Sequence, residues 1–285
     1  MESIFSPGKK IIRSSQRNYQ LTQMSFMDHL EQLRWHLVRS VIALLVASIG
    51  MFIFVDWIFD HIIFAPAQQN FISYTMLCSL GHTLQIGDAL CMPPVNIKLQ
   101  GNTVSGPFMS AITIAISCGF LVAFPYIMWE IWRFLTPALS HKEIKMVKGS
   151  IGWVFVCFFI GAAFGYFLLA PFTFNFLGNY KLGTTGSYIY MPTLDDYINT
   201  LTSIILGCAI AFELPVAAYV LSKAGIVTPA LLKKYRKFAF LVILILAAVI
   251  TPSPDWTSQA IVTLPLILLY EISIYLSKKV ERSRI

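Results

Sequence analysis

One carboxylate stands where a charge is expensive. Glu213 lies in Ala211-Phe212-Glu213-Leu214-Pro215, inside a long apolar stretch, and a carboxylate at the centre of a membrane span costs about 2.5 to 3.5 kcal/mol on insertion scales. It must face protein or water, or carry a proton. Pro215 has no N–H, so the carbonyl one turn upstream at Ala211 loses its helical partner at the same depth. Two readings are open: a polar docking point or protonatable group within a concave bundle, or a carboxyl hydrogen-bonded to a neighbouring helix. A second set of polar groups precedes the first apolar run, in Met27-Asp28-His29-Leu30-Glu31-Gln32-Leu33-Arg34-Trp35-His36-Leu37. Leu30, Leu33 and Leu37 recur at helical spacing and predict an amphipathic helix. Asp28 and Glu31 then lie on its membrane-surface side, within reach of a cationic ligand, although Glu31 and Arg34 at i, i+3 could equally pair with each other. A third set runs from Trp132 to Glu143, where Glu143 is the acid among Arg133, Lys142, Lys145 and Lys148 and ion pairing is the plain expectation.

Other chemistries lack their residues. The sequence has no CxxC, HExxH, phosphate-loop glycine pattern or nucleophile elbow, and no two histidines stand at ligand spacing, so neither a metal nor a cofactor is expected. An intramembrane protease would need a paired nucleophile or two aspartates at membrane depth; Asp195, Asp196 and Asp255 fall at span ends. Catalysis is not expected. Cys118, Cys157 and Cys208 fall in apolar helices as small packing residues, whereas Cys78 and Cys91 share one connecting segment and are the candidate disulfide, closing a loop of about a dozen residues in an oxidising compartment.

The elements that must position these groups are membrane helices. The chain of 285 residues is 56% hydrophobic and 12% charged, against about 25% charged in an ordinary soluble domain. Too little polar surface exists to wrap a water-soluble globule. Apolar runs free of charge place spans at Arg39 to Asp56 (continuing amphipathically to Phe64), Phe108 to Trp129, Gly149 to Phe176 and Tyr197 to Ser222, the last holding Glu213. Phe238 to Ile250 and Trp256 to Tyr270 form a final pair around the turn Thr251-Pro252-Ser253-Pro254-Asp255. A helix of about fifteen residues covers roughly 22 Å, short of the ~30 Å hydrocarbon core, so local thinning of the bilayer is expected.

Six spans put both termini on one side. Lys98 and Lys181 are the basic residues assigned outside, and the positive-inside rule sets both termini in the cytoplasm. The net charge of +7 is then accounted for by Lys9, Lys10, Arg13, Arg17 and Arg34, by Lys233, Lys234, Arg236 and Lys237, and by Lys278, Lys279, Arg282 and Arg284, all facing anionic lipid, with no nucleic-acid partner implied. A cleaved leader ending at Ala65-Pro66-Ala67 is disfavoured, because the apolar region exceeds a typical h-region and its removal would leave an odd number of spans. The expected organisation is a basic extension over 1–25, one membrane domain over 26–279 with an outer insertion at about 66–106, and a tail over 280–285. Gly161 and Gly165 form GxxxG, a close-packing signal.

Four separated motifs resemble the TatC family, the polytopic receptor subunit of the twin-arginine protein translocase, over most of the chain from about Phe26 to Lys279. They are His29-Leu30 with Leu33-Arg34; Phe124-Pro125-Tyr126 through Trp132 and Phe134 to Pro137-Ala138-Leu139 and Glu143; Phe212-Glu213-Leu214-Pro215-Val216; and Thr251-Pro252 with Asp255, Gln259, Pro265 and Tyr270-Glu271. The resemblance implies an all-α polytopic fold, six helices in a cupped, glove-like bundle with the last two spans short, punctuated by Pro66, Pro125, Pro215, Pro252 and Asp255. It implies a multi-pass protein of the bacterial inner membrane. Its task would be to bind twin-arginine signal peptides of folded precursor proteins at the cytoplasmic face, then to assemble TatA-type subunits for export driven by the proton-motive force. TatA-type and TatB-type subunits, the bilayer and further copies of the chain are the implied partners.

Within that resemblance, Glu31, Gln32, Arg34, Phe134 and Glu143 form the signal-peptide site, and Glu213 and Gln259 are intramembrane polar positions for partner helices. Phe134 and Glu143 match the family pattern directly. The family's leading-helix glutamate, however, falls at Gln32, with the carboxylate one residue earlier at Glu31, about 100° around the helix. Gln32 can accept hydrogen bonds from an arginine without supplying charge. Glu130 stands where the family often has glutamine. The rival reading, a proton-coupled secondary transporter using Glu213, predicts an internal repeat with matching polar positions in two halves, and no such repeat is seen in the sequence.

Overall fold

The computed structural model describes residues 26–68, 71–83, 99–136, 151–179, 191–223, 225, 227–250 and 256–284. Among them every regular element is a helix, and the one β contact is an isolated parallel bridge between Gln100 and Thr193. Four helical rods are long and apolar enough to cross a membrane: Leu30–Ile53, Gly106–Leu135, Ile151–Asn179 and Leu194–Lys223.

Helix α1 runs unbroken from Phe26 to Ile53. The amphipathic helix expected before the first span and the span itself are thus one continuous rod. No glycine or proline interrupts 26–49, so nothing in the backbone forces a break between the polar and apolar parts. The predicted amphipathic continuation to Phe64 is a chain of short turns: α2 (Val55–Ile58), a π-turn (Phe59–Ile63) and a 3-10 turn (Ala65–Ala67). Such turns free carbonyls from the helical ladder, and three phenols take them up. Tyr166 donates to Ile62 O at 2.7 Å, Tyr197 to Ile63 O at 2.7 Å and Tyr74 to Pro66 O at 3.0 Å. Burial raises the Tyr74 hydroxyl's pKa and keeps it a donor. Helix α3 (Ile72–Thr83) follows.

Helix α4 (Gly106–Leu135) returns antiparallel to α1 and packs along it. At Gly119 a Cβ would meet the Ser48 backbone at 2.7 Å, so the two helices touch at a point only glycine allows. The third rod comprises α5 (Ile151–Phe164), a π-turn (Gly165–Leu169) and α6 (Ala170–Asn179). Pro171 cannot donate into the ladder, and the π-turn ahead of it absorbs the mismatch. The expected close packing at GxxxG is present: a Cβ on Gly161 would sit 2.7 Å from Cys208 O and 2.7 Å from Phe212 Cβ.

Helix α7 (Leu194–Ala211) starts on a Thr193 cap, whose hydroxyl accepts from Asp196 N at 3.1 Å, with Asp195 and Asp196 favourably in the first turn. It stops at Phe212–Glu213, and α8 (Leu214–Lys223) begins with Pro215 near its start, where a missing N–H does no harm. After α9 (Pro229–Lys234) come α10 (Arg236–Ile250, 15 residues) and α11 (Trp256–Arg284). The buried core lies where these rods meet, around Tyr197, Leu201, Ile114 and Phe174 at one end and around Ile204, Ala247, Val262 and Leu266 between α7, α10 and α11. The outward faces are apolar too: Ile53, Val249 and Leu264 are more than 70% exposed, the pattern of helices solvated by lipid.

Candidate functional site

The antiparallel pairing of α1 and α4 brings the start of one to the end of the other. Glu31 and Arg34 are exposed there, and Gln32 and Phe134 are half-buried. Among the described residues no ion pair joins Glu31 to Arg34, so their charges face outward rather than each other. Phe134 presents its ring to His36 in a T-shaped contact with centroids 6.2 Å apart. Glu143 lies outside the described residues, so four of the five expected site residues are placed at one end of this helix pair.

Glu130, which the sequence marked only as a departure from the family's glutamine, is the group to which sequence reasoning gave no role. Among the described residues its side chain is the most buried charged one, with the residue 1% exposed. His36 Nδ1 donates to its Oε2, and the Tyr126 hydroxyl donates to Oε1 at 3.1 Å. The Arg133 guanidinium lies 3.8 Å from Oε1 and that of Arg39 4.0 Å from Oε2, both half-exposed. A carboxylate can stay ionised in such a place only because donors and cations surround it. The signal in the sequence was faint: a glutamate closing an apolar run, one turn before Arg133, with its essential partner 94 positions away.

Glu213 is arranged differently. It occupies the joint between α7 and α8, half-buried, and its Oε1 is buried with no hydrogen-bond partner among the described residues. Its backbone is satisfied, since Glu213 N donates to Ile210 O at 3.1 Å and its carbonyl accepts from Ala217 N at 2.8 Å. Of the two readings, a carboxyl bonded to a neighbouring helix finds no support in Oε1. Gln259 is turned to structural use, with Nε2 donating to Leu244 O at 3.3 Å and so tying α11 to α10.

The punctuating residues fall as follows. Pro66 is buried in the 3-10 turn, Pro125 lies inside α4 and Pro215 near the start of α8, while Pro252 and Asp255 lie outside the described residues. Cys118, Cys157 and Cys208 are free, and Cys78 is disulfide-bonded; Cys91 lies outside the described residues.

Comparison with known proteins gives one consistent answer. The family model for the Sec-independent protein translocase protein (TatC) matches residues 28–265. The TatC of Blattabacterium sp. subsp. Periplaneta americana is 37% identical over 92% of this chain and 98% of its own length, and that of Aquifex aeolicus 32% identical over 92% and 98%. A crystal structure of a twin-arginine translocase receptor, TatC, matches with a TM-score of 0.69 at 32% identity, covering 89% of this chain and 99% of that one. With several apolar helices of spanning length and this likeness along its whole core, the chain is a multi-pass membrane protein that belongs to the TatC family of Sec-independent protein translocase subunits.

Proposed function

We propose that this subunit is the translocase's receptor for twin-arginine signal peptides, reading them at the end of the α1–α4 pair where Glu31, Gln32, Arg34 and Phe134 gather, with Glu143 completing the site. The observation that carries this is the outward exposure of Glu31 beside Gln32 and Phe134 at one end of two antiparallel helices. Guanidinium groups need carboxylate or amide oxygens in a planar, bidentate arrangement. Such a site offers both, next to an aromatic face, while the apolar part of a signal peptide lies along the lipid-facing grooves.

The rest of the reading follows from the family. The chain crosses the bacterial inner membrane six times, in a cupped bundle whose fifth and sixth spans are short, with both termini cytoplasmic. Glu213 and Gln259 meet partner helices, TatA-type subunits assemble on the loaded receptor beside TatB-type subunits and further copies of the chain, and the proton-motive force drives export. The 1–25 extension and 280–285 tail face anionic lipid, and Cys78 bonds Cys91 within the outer insertion at 66–106.

The test is photocrosslinking in native-like membranes, with probes at Glu31, Gln32, Phe134 and Glu143, against precursors bearing Arg-Arg or Lys-Lys. Adducts that require the arginine pair are expected. Correct insertion with no adduct to either precursor would remove the receptor assignment.

A further inference from the structure

Glu130 has no part in the site as read so far, yet it is placed to govern it. On α1, His36 lies one turn beyond Gln32; on α4, Phe134 lies one turn beyond Glu130. Residues four apart share a helix face, so the His36–Glu130 contact is the next layer inward from Gln32 and Phe134 on both helices. The His36 ring also touches Phe134 itself. At 1% exposure, with His36, Tyr126, Arg39 and Arg133 around it, the carboxylate is shielded from a peptide docking at the surface. Farther along, the two helices approach closely at Ser48 and Gly119, where the Ser48 hydroxyl makes no hydrogen bond among the described residues. The charge-assisted hydrogen bond at Glu130 is directional and adds an angular restraint to that packing.

We infer that Glu130 is a positioning residue of the signal-peptide site: held in place on α4 by Tyr126, its carboxylate grips His36 of α1 and so sets how the start of α1 lies against the end of α4, and with it the spacing between the 31–34 face and Phe134. This rests on the receptor reading above. The residue does not contact the arginines; it holds the two walls between which they are read.

The experiment uses the full chain in membrane vesicles and a precursor carrying a photoreactive residue beside its arginine pair, so that no site residue is altered. Adduct is measured against precursor concentration, giving a half-saturating concentration and a maximum per inserted chain. Glu130→Leu and His36→Leu are each expected to raise the half-saturating concentration about tenfold, the effect of one buried charge-assisted hydrogen bond, with the maximum unchanged. Since the two act as one unit, the double variant is expected to be no worse than either alone. Glu130→Gln, which keeps an acceptor oxygen for one donor, is expected to stay within about threefold.

An unchanged half-saturating concentration in Glu130→Leu overturns the inference, as do effects that multiply in the double variant. A fall in the maximum alone marks a folding defect and also overturns it. Glu130→Gln matching Glu130→Leu would show that an acceptor oxygen at this position does not hold the two walls, and would overturn the hydrogen-bond account. If Glu130→Leu fails to insert, His36→Leu and Glu130→Gln decide. Adducts from the unmodified chain that ignore the arginine pair overturn the receptor reading and this inference together, whereas arginine-dependent adducts insensitive to residues 36 and 130 overturn the inference alone.

Discussion

Glu130 near the end of α4 and Glu213 at the joint between α7 and α8 carry the same functional group in apolar helices, and the fold treats them in opposite ways. Around Glu130 it gathers an imidazole, a phenol and two guanidinium groups, and leaves the residue 1% exposed. At Glu213 it breaks the helix, satisfies the backbone and leaves the buried Oε1 without a donor among the described residues. A carboxylate whose lone pairs are filled contributes to holding its own chain together. One left open is stable only in company, since an unsatisfied buried acceptor carries a desolvation penalty of about 1–3 kcal/mol that a partner's donor can remove.

That contrast can be broken by mutation. The largest effect belongs to Glu130→Leu, which strands His36 and Tyr126 at once; loss of about 3 kcal/mol is expected in denaturant unfolding of the purified chain in detergent, and a loss below about 0.5 kcal/mol would mean that these contacts hold nothing. Next is Gly161→Val, which drives a side chain into the Cys208 carbonyl and Phe212 beside the Glu213 joint. It should cost about 2 kcal/mol by overpacking, and a thermal shift assay would read it. His36→Phe keeps a ring against Phe134 but removes the donor, with an expected loss of about 1 kcal/mol in the same unfolding experiment because Tyr126 and the arginines remain. Smallest is Glu213→Gln, expected to move stability by less than about 0.5 kcal/mol while weakening crosslinks between this joint and TatA-type subunits. A large loss of stability there would show that Glu213 is bonded within its own chain after all, and the contrast would fail.

Much of this was legible in the residues. Four apolar runs marked the four spanning rods, to within about three positions except at Leu30, nine residues before Arg39, and at Leu135, six beyond Trp129, because lipid demands length and apolarity, and both are local properties. The break at Phe212–Glu213 was readable from Pro215, and the close approach at Gly161 from its spacing to Gly165. What stayed hidden was tertiary. The amphipathic helix and the first span are described separately in sequence because composition changes near Arg39, and their continuity comes from a helix running on across a change of polarity when no residue stops it. Glu130 looked like the polar end of a span, since its burial depends on His36, Arg39 and the crossing of α1 over α4. Gln259 carried a partner-binding expectation, and the hydrogen bond from its Nε2 to Leu244 of the adjacent helix could not be read from the sequence.

The three phenols on the carbonyls of Ile62, Ile63 and Pro66 bear on how this family could diversify. Two of them, Tyr166 and Tyr197, come from the third and fourth spanning rods, so the turn after the first span is anchored from within the bundle. The bridge between Gln100 and Thr193 and the 2.5 Å hydrogen bond from Ser110 to Asp195 fasten the start of α4 in the same way. With both attachment points held independently, the stretch between them can lengthen, shorten or acquire a disulfide without shifting the register of the spans. Insertions between these two anchored points are expected to be tolerated where insertions one turn further in would be ruinous.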